Sequence, residues 1–129
     1  MSNISTLMTK NPASLDPEAR IEDAWKIMHT HRVRHVPVVK GDKLVGLVTQ
    51  KDLLVNAQNR SLLSLPVAEI MVFRVSTITT DTTAEEAAKV MLNKKISCLP
   101  VVEDDKLVGI ITESDFLKRL IQLLAESKN

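Results

Sequence analysis

Three glycines, one cysteine and three aromatic residues are few for a chain of 129, and each shortage excludes something. A single cysteine, Cys98, has no partner for an internal disulfide and fits a reducing compartment, so a cytoplasmic location is expected. Trp25, Phe73 and Phe116 give no run of aromatic platforms on which single-stranded nucleic acid could stack. So few glycines leave no glycine-rich loop to cradle phosphates. The formal net charge is only +1, so no chain-wide field draws in nucleic acid or an anionic membrane. No apolar run approaches the roughly 20 residues that span a bilayer. Met1-Ser2-Asn3-Ile4 also lacks the basic and apolar regions of a secretory signal. What remains is 44% hydrophobic and 26% charged, a balance that folds as a globular domain.

What is present is present twice. An offset of 63 carries Met8 onto Met71, Ala24 onto Ala87, Met28 onto Met91 and Pro37 onto Pro100. The same offset carries Gly46 onto Gly109, Thr49 onto Thr112 and Asp52 onto Asp115, with no gap between residues 4–54 and 67–117. A match that long in one register marks an internal duplication. The repeats divide the chain into residues 1–59, a linker at 60–66 opened by Arg60 and closed by Pro66, and residues 67–129.

Each repeat begins with a short turn ending in Met (Ile4–Met8; Val67–Met71) and an extended segment (Pro12–Leu15; Val75–Ile78). A helix follows, with Ile21, Ala24, Trp25 and Met28 at helical spacing in the first repeat and Ala84, Ala87, Ala88 and Met91 in the second. Trp25 answers to Ala88, so the two cores are expected to differ in shape. Asp16-Pro17 reads as the turn before the first helix, and Thr82-x-x-Glu85 as a capping box opening the second. β-Branched runs around Lys40–Lys43 predict a hairpin, repeated by Leu99–Val102 and Lys106–Ile111. The closing helices are expected over residues 50–58 and 113–126. The last carries Phe116, Leu117, Leu120, Ile121, Leu123 and Leu124, an apolar face wide enough for internal packing or for a subunit interface.

Between hairpin and closing helix stands Gly-x-x-Thr-x-x-Asp, at Gly46–Asp52 and Gly109–Asp115. Strand end, turn and helix start place free backbone N–H groups and a positive dipole end there, a combination that favours anions. The same Thr-x-x-Asp spacing also suits a capping box that binds nothing. Asp stands in both copies where Glu or Gln more often fills the box.

With the β-α-β-β-α repeat, the Met-closed turn, the Pro-Val-Val strand and these motif endings, the chain resembles a tandem pair of CBS domains, a Bateman module. The resemblance implies an α+β fold of two repeats packed about a pseudo-twofold axis. It implies adenosine-containing ligands (AMP, ADP, ATP, S-adenosylmethionine) in two inter-repeat clefts, with Asp on the ribose hydroxyls and Thr near phosphate. On that footing one site comprises Ala13, Ser14, Arg34, His35, Pro37, Thr49 and Asp52. The other comprises Val75, Ser76, Thr77, Ser97, Cys98, Leu99, Pro100, Thr112 and Asp115. Arg34 and His35 supply charge-assisted donors that Ser97 and Cys98 do not, so the first site is expected to favour phosphorylated ligands.

The function expected is a stand-alone regulatory module that passes ligand occupancy to a separate protein, forms a homodimer and needs no cofactor or metal. The alternatives are a protein-interaction scaffold with empty clefts and, third, a nucleic-acid module around Arg32, Arg34 and His35. His29 and His31 diverge on a helix and gain no completing ligand from His35. No Ser/His/Asp or Cys/His arrangement suggests catalysis.

Overall fold

The computed structural model describes residues 3–56 and 58–128, and Met1, Ser2, Ala57 and Asn129 lie outside the described residues. In chain order the elements are β1 (Thr9–Lys10), α1 (Ile21–His31), β2 (His35–Lys40), β3 (Lys43–Thr49), α2 (Gln50–Asn56), β4 (Ile78–Thr79), α3 (Ala84–Lys94), β5 (Cys98–Glu103), β6 (Lys106–Thr112) and α4 (Glu113–Glu126). Single 3-10 turns stand at Ile4–Thr6, Arg60–Ser64 and Val67–Glu69. The helices and both hairpins follow the β-α-β-β-α reading, but in the first repeat the extended segment expected over Pro12–Leu15 forms only a bridge at Leu15, and the strand before α1 is Thr9–Lys10. The helix expected over 50–58 is described as far as Asn56.

Two compact units result, and they cut across the sequence repeats. The first joins Pro12–Val75 to Asp105–Leu107, and the second joins the segment up to Asn11, Ser76–Asp104 and the chain from Val108 onward. The first unit is built on the antiparallel β2–β3 hairpin, with His35 opposite Thr49 and Lys40 opposite Lys43. Leu15 adds a parallel bridge to Val38: its N–H donates to Pro37 O at 3.0 Å and its carbonyl accepts from Val39 N–H at 2.8 Å. The Asp16-Pro17 turn forms as expected, with Glu18 N–H on Asp16 Oδ1 at 2.8 Å. α1 ends where Arg32 turns left-handed at φ 54°, its N–H reaching back to Met28 O.

The first core gathers Leu15, Ile21, Ala24, Met28, Val36, Val38, Val48, Leu53, Val67 and Met71. Val67 and Met71 come from the opening turn of the second repeat, and Val72 bonds to Leu47 in both directions, at 2.8 and 3.0 Å. The second unit mirrors this. Ile4, fully buried, packs with Ile78, Ala87, Met91, Leu99, Val101 and Ile111. β1 pairs antiparallel with β6, Thr9 opposite Ile110, while β4 runs parallel to β5, Ile78 opposite Val101. Each repeat's opening turn is therefore built into the unit that holds the other repeat's hairpin.

The helix start of the second repeat corrects one expectation. The capping box forms at Thr83 and Glu86, not Thr82 and Glu85: Glu86 N–H donates to Thr83 Oγ1 at 3.1 Å and Thr83 Oγ1 donates to Glu86 Oε1 at 2.9 Å. Thr82 is held instead in a turn, its Oγ1 accepting from Thr79 N–H at 3.2 Å, so the helix begins one residue later. Trp25, Ala84 and Ala88 are half-buried at the core margins rather than inside.

Most of the apolar face of α4 is not packed within this chain. Phe116 packs on the second core, but Leu117, Leu120, Ile121, Leu123 and Leu124 remain 45–66% exposed. Packing within this chain does not cover them.

Candidate functional site

The motif glycines come first because they seat the opening turns on the strands. A Cβ on Gly46 would lie 2.5 Å from Met71 Sδ and 3.0 Å from Val72 O. On Gly109 it would lie 2.6 Å from Met8 Sδ and 3.0 Å from Thr9 O. The glycine of each motif and the methionine of the other repeat are thus one packing feature, and any side chain on that strand position would push the turn away.

Three residues later each strand hands over to a helix at Thr49 or Thr112, and here the capping reading is realised. In the first unit Asp52 Oδ2 accepts from Thr49 N–H at 3.1 Å and from Thr49 Oγ1 at 2.8 Å, while Asp52 N–H donates to Thr49 Oγ1 at 3.2 Å. In the second, Asp115 Oδ2 accepts from Thr112 N–H at 2.8 Å and from Thr112 Oγ1 at 3.2 Å. Both aspartates are half-buried, and both place these bonds on Oδ2, so Oδ1 takes no part in them. The cap holds each carboxylate at the start of its helix. Such a group is chemically able to receive a hydroxyl from a sugar diol.

The hairpin brings the strand-start residues to the same place. Gln50 N–H donates to Arg34 O at 2.8 Å and Glu113 N–H to Ser97 O at 3.1 Å. His35 stands directly opposite Thr49. Arg34, His35, Thr49 and Asp52 therefore gather in the first unit, and Ser97, Cys98, Thr112 and Asp115 in the second. Ala13 and Ser14 precede Leu15, whose backbone bonds flank Val38. Ser76 and Thr77 lead into β4, and Lys94 Nζ bonds Ser76 Oγ at 3.1 Å. Val75, by contrast, closes the run assigned to the first unit. Pro37, Leu99 and Pro100 are fully buried within their strands.

Sequence reasoning passed over Gln50, Lys51, Glu113 and Ser114, the first residues of α2 and α4. The signal for Gln50 and Glu113 is their backbone bond to Arg34 and Ser97, and Lys51 and Ser114 follow them directly in the chain.

Cys98 is buried in β5, and its thiol is pushed up from 9.0 to about 12, first by burial and then by the negative charge of Asp115. Thiolate is the reactive form, so this side chain behaves as a small apolar filler. Native protein at pH 8 is expected to resist iodoacetamide for hours and react within minutes once unfolded in urea; rapid native alkylation, read by mass, would contradict it. Because folding raises this pKa, the folded state holds a proton that the unfolded state releases, and stability is expected to fall as pH rises from about 9 toward 12.

His29 and His31 are exposed on the last turn of α1, and among the described residues no group of three or more His, Cys, Asp or Glu is placed to hold a metal. Among the same residues, no helix is long and apolar enough to cross a membrane.

Known proteins match this architecture. The CBS domain family fits the chain twice, over residues 4–58 and 67–122. The inosine-5'-monophosphate dehydrogenase of Korarchaeum cryptofilum is 36% identical over 115 residues, covering 88% of this chain and 23% of that protein. The chain thus spans about a quarter of the length of the first curated relatives it matches. The crystal structure of the Vibrio cholerae protein AcuB superposes with a TM-score of 0.90 at 37% identity, covering 99% of this chain and 96% of that one. The CBS domain pair of protein MJ0100, in complex with 5'-methylthioadenosine and S-adenosyl-L-methionine, superposes at 0.83 with 31% identity, covering 92% and 99%.

Proposed function

This chain belongs to the CBS domain family, and on that premise we propose that it is a non-catalytic regulatory module binding an adenosine-containing ligand, in the cytoplasm. The reading rests above all on one repeated arrangement: an aspartate held by its own helix cap, beside a threonine and the backbone that leads into a strand, once in each unit. The ligands held by the MJ0100 pair support the class of compound. Asp52 and Asp115 take the ribose hydroxyls, Thr49 and Thr112 lie toward phosphate, and the backbone at Ala13-Ser14 and at Val75-Ser76-Thr77 lies along the base. Pro37, Leu99 and Pro100 set the strands rather than touch the ligand with their side chains.

Occupancy acts by favouring one of two arrangements of the protein, to the extent that the ligand binds one better than the other. A separate protein reads the result. Calorimetric titration with AMP, ATP and S-adenosylmethionine tests the proposal: binding at micromolar to millimolar Kd supports it, and no heat from any of the three at millimolar concentration rejects it. The capping bonds themselves favour one second reading, a protein-interaction scaffold in which both aspartates serve only their helices. The same titration separates the two.

The exposed face of α4 fits a homodimer, because five large apolar side chains on one helix are costly to leave in water. Leu120→Asp with Leu124→Asp is expected to convert a dimer to a monomer by light scattering, without loss of helical circular dichroism. A dimer unchanged by both substitutions would move the interface elsewhere.

A further inference from the structure

We propose, resting on the adenosyl-binding reading above, that the two residue sets sort ligands by charge: the first takes a phosphate-bearing nucleoside, and the second a nucleoside with no negative charge at its 5' position. The inference comes from comparing matched positions that the backbone itself aligns. In the first unit Gln50 N–H bonds Arg34 O, and in the second Glu113 N–H bonds Ser97 O, the same link between strand start and helix start. Arginine and glutamine at one site thus become serine and glutamate at the other. The next helix residue changes in the same sense, from Lys51 to Ser114.

The first set therefore presents two cations, Arg34 and Lys51, against the single carboxylate of Asp52. The second presents two carboxylates, Glu113 and Asp115, beside the ammonium groups of Lys94, held on Ser76, and Lys95, so its charges balance. Arg34, Lys51 and Glu113 are exposed and enter none of the ion pairs among the described residues, so their charge is not spent on a neighbour. Both motifs share the Thr–Asp cap, and the residues around it differ in charge, with Arg34 and Lys51 in the first unit matched by Ser97 and Ser114 in the second. A phosphate gains donors at the first set and meets like charge at the second. A neutral thioether or a sulfonium at the 5' position loses nothing at the second set, and a sulfonium gains from its carboxylates. Because the groups are exposed, water and salt screen them, and the selectivity is about tenfold rather than thousandfold.

The test titrates AMP and 5'-methylthioadenosine into the wild-type chain, Arg34→Ser and Glu113→Gln at low ionic strength. Arg34→Ser is expected to weaken AMP about tenfold and leave 5'-methylthioadenosine within twofold, with the AMP difference shrinking as salt is added. Glu113→Gln is expected to strengthen AMP at a second, weaker site. If Arg34→Ser leaves AMP unchanged, or weakens both ligands equally, charge sorting is overturned while adenosyl binding stands. If the wild-type chain binds neither compound at millimolar concentration, the underlying reading fails as well.

Discussion

Gly109→Ala is expected to destabilise the second unit by about 1–3 kcal/mol, the usual range for forcing extra volume into a packed site. The new methyl would overlap Met8 Sδ at 2.6 Å and press on Thr9 O at 3.0 Å. A thioether can swing aside, but the carbonyl belongs to β1, which pairs with β6 at this very place, Lys10 opposite Gly109. Relief by backbone movement would loosen that pairing and withdraw Ile4 from its core. Gly46→Ala should act likewise in the first unit, against Met71 Sδ at 2.5 Å and Val72 O at 3.0 Å. Adding Met8→Ala to Gly109→Ala should recover only part of the loss, because it removes the flexible clash and leaves the carbonyl. Urea denaturation measures all of these. A midpoint unchanged by either glycine substitution would show that the opening turns do not depend on this close approach.

Asp52→Ala is expected to weaken an adenosine-containing ligand tenfold to a hundredfold, since hydrogen bonds to a charged group contribute about 1.5–3 kcal/mol each. It should also cost about 1 kcal/mol of stability, because Thr49 N–H and Oγ1 both lose their acceptor. Those two effects need to be pulled apart, and Asp52→Asn does so. An amide oxygen still caps the helix, so the melting temperature should hold, while the weaker remaining acceptor serves the ribose poorly and affinity falls. Asp115→Asn makes the matching case in the second unit. Calorimetry beside thermal melting reads both quantities. Wild-type affinity in both asparagine variants would assign the carboxylates to capping alone and remove them from the ligand site.

Much of this was legible without coordinates because duplication fixes register. The spacing of Pro37, Gly46, Thr49 and Asp52 against Pro100, Gly109, Thr112 and Asp115 placed two hairpins and two helix starts in the right order. Local chemistry also sufficed for the Asp16-Pro17 turn and for the identity of the Thr–Asp pairs. It failed by one residue at Thr82, where both Thr82 and Thr83 can cap and both Glu85 and Glu86 can answer. Only the turn that engages Thr82 with Thr79 decides which pair forms the box.

The sequence by itself determined what is local or periodic: two β-α-β-β-α repeats, their apolar strands, and a capped aspartate at each closing helix, because these follow from spacing and side-chain chemistry within a few residues. Tertiary structure alone decided which opening turn joins which hairpin, since Met8 and Met71 have the same local sequence logic and each seats on the glycine of the other repeat. It also decided that Arg34 lies beside Gln50 and Ser97 beside Glu113, a cross-strand relation set by hydrogen-bond register that no pattern along the chain contains.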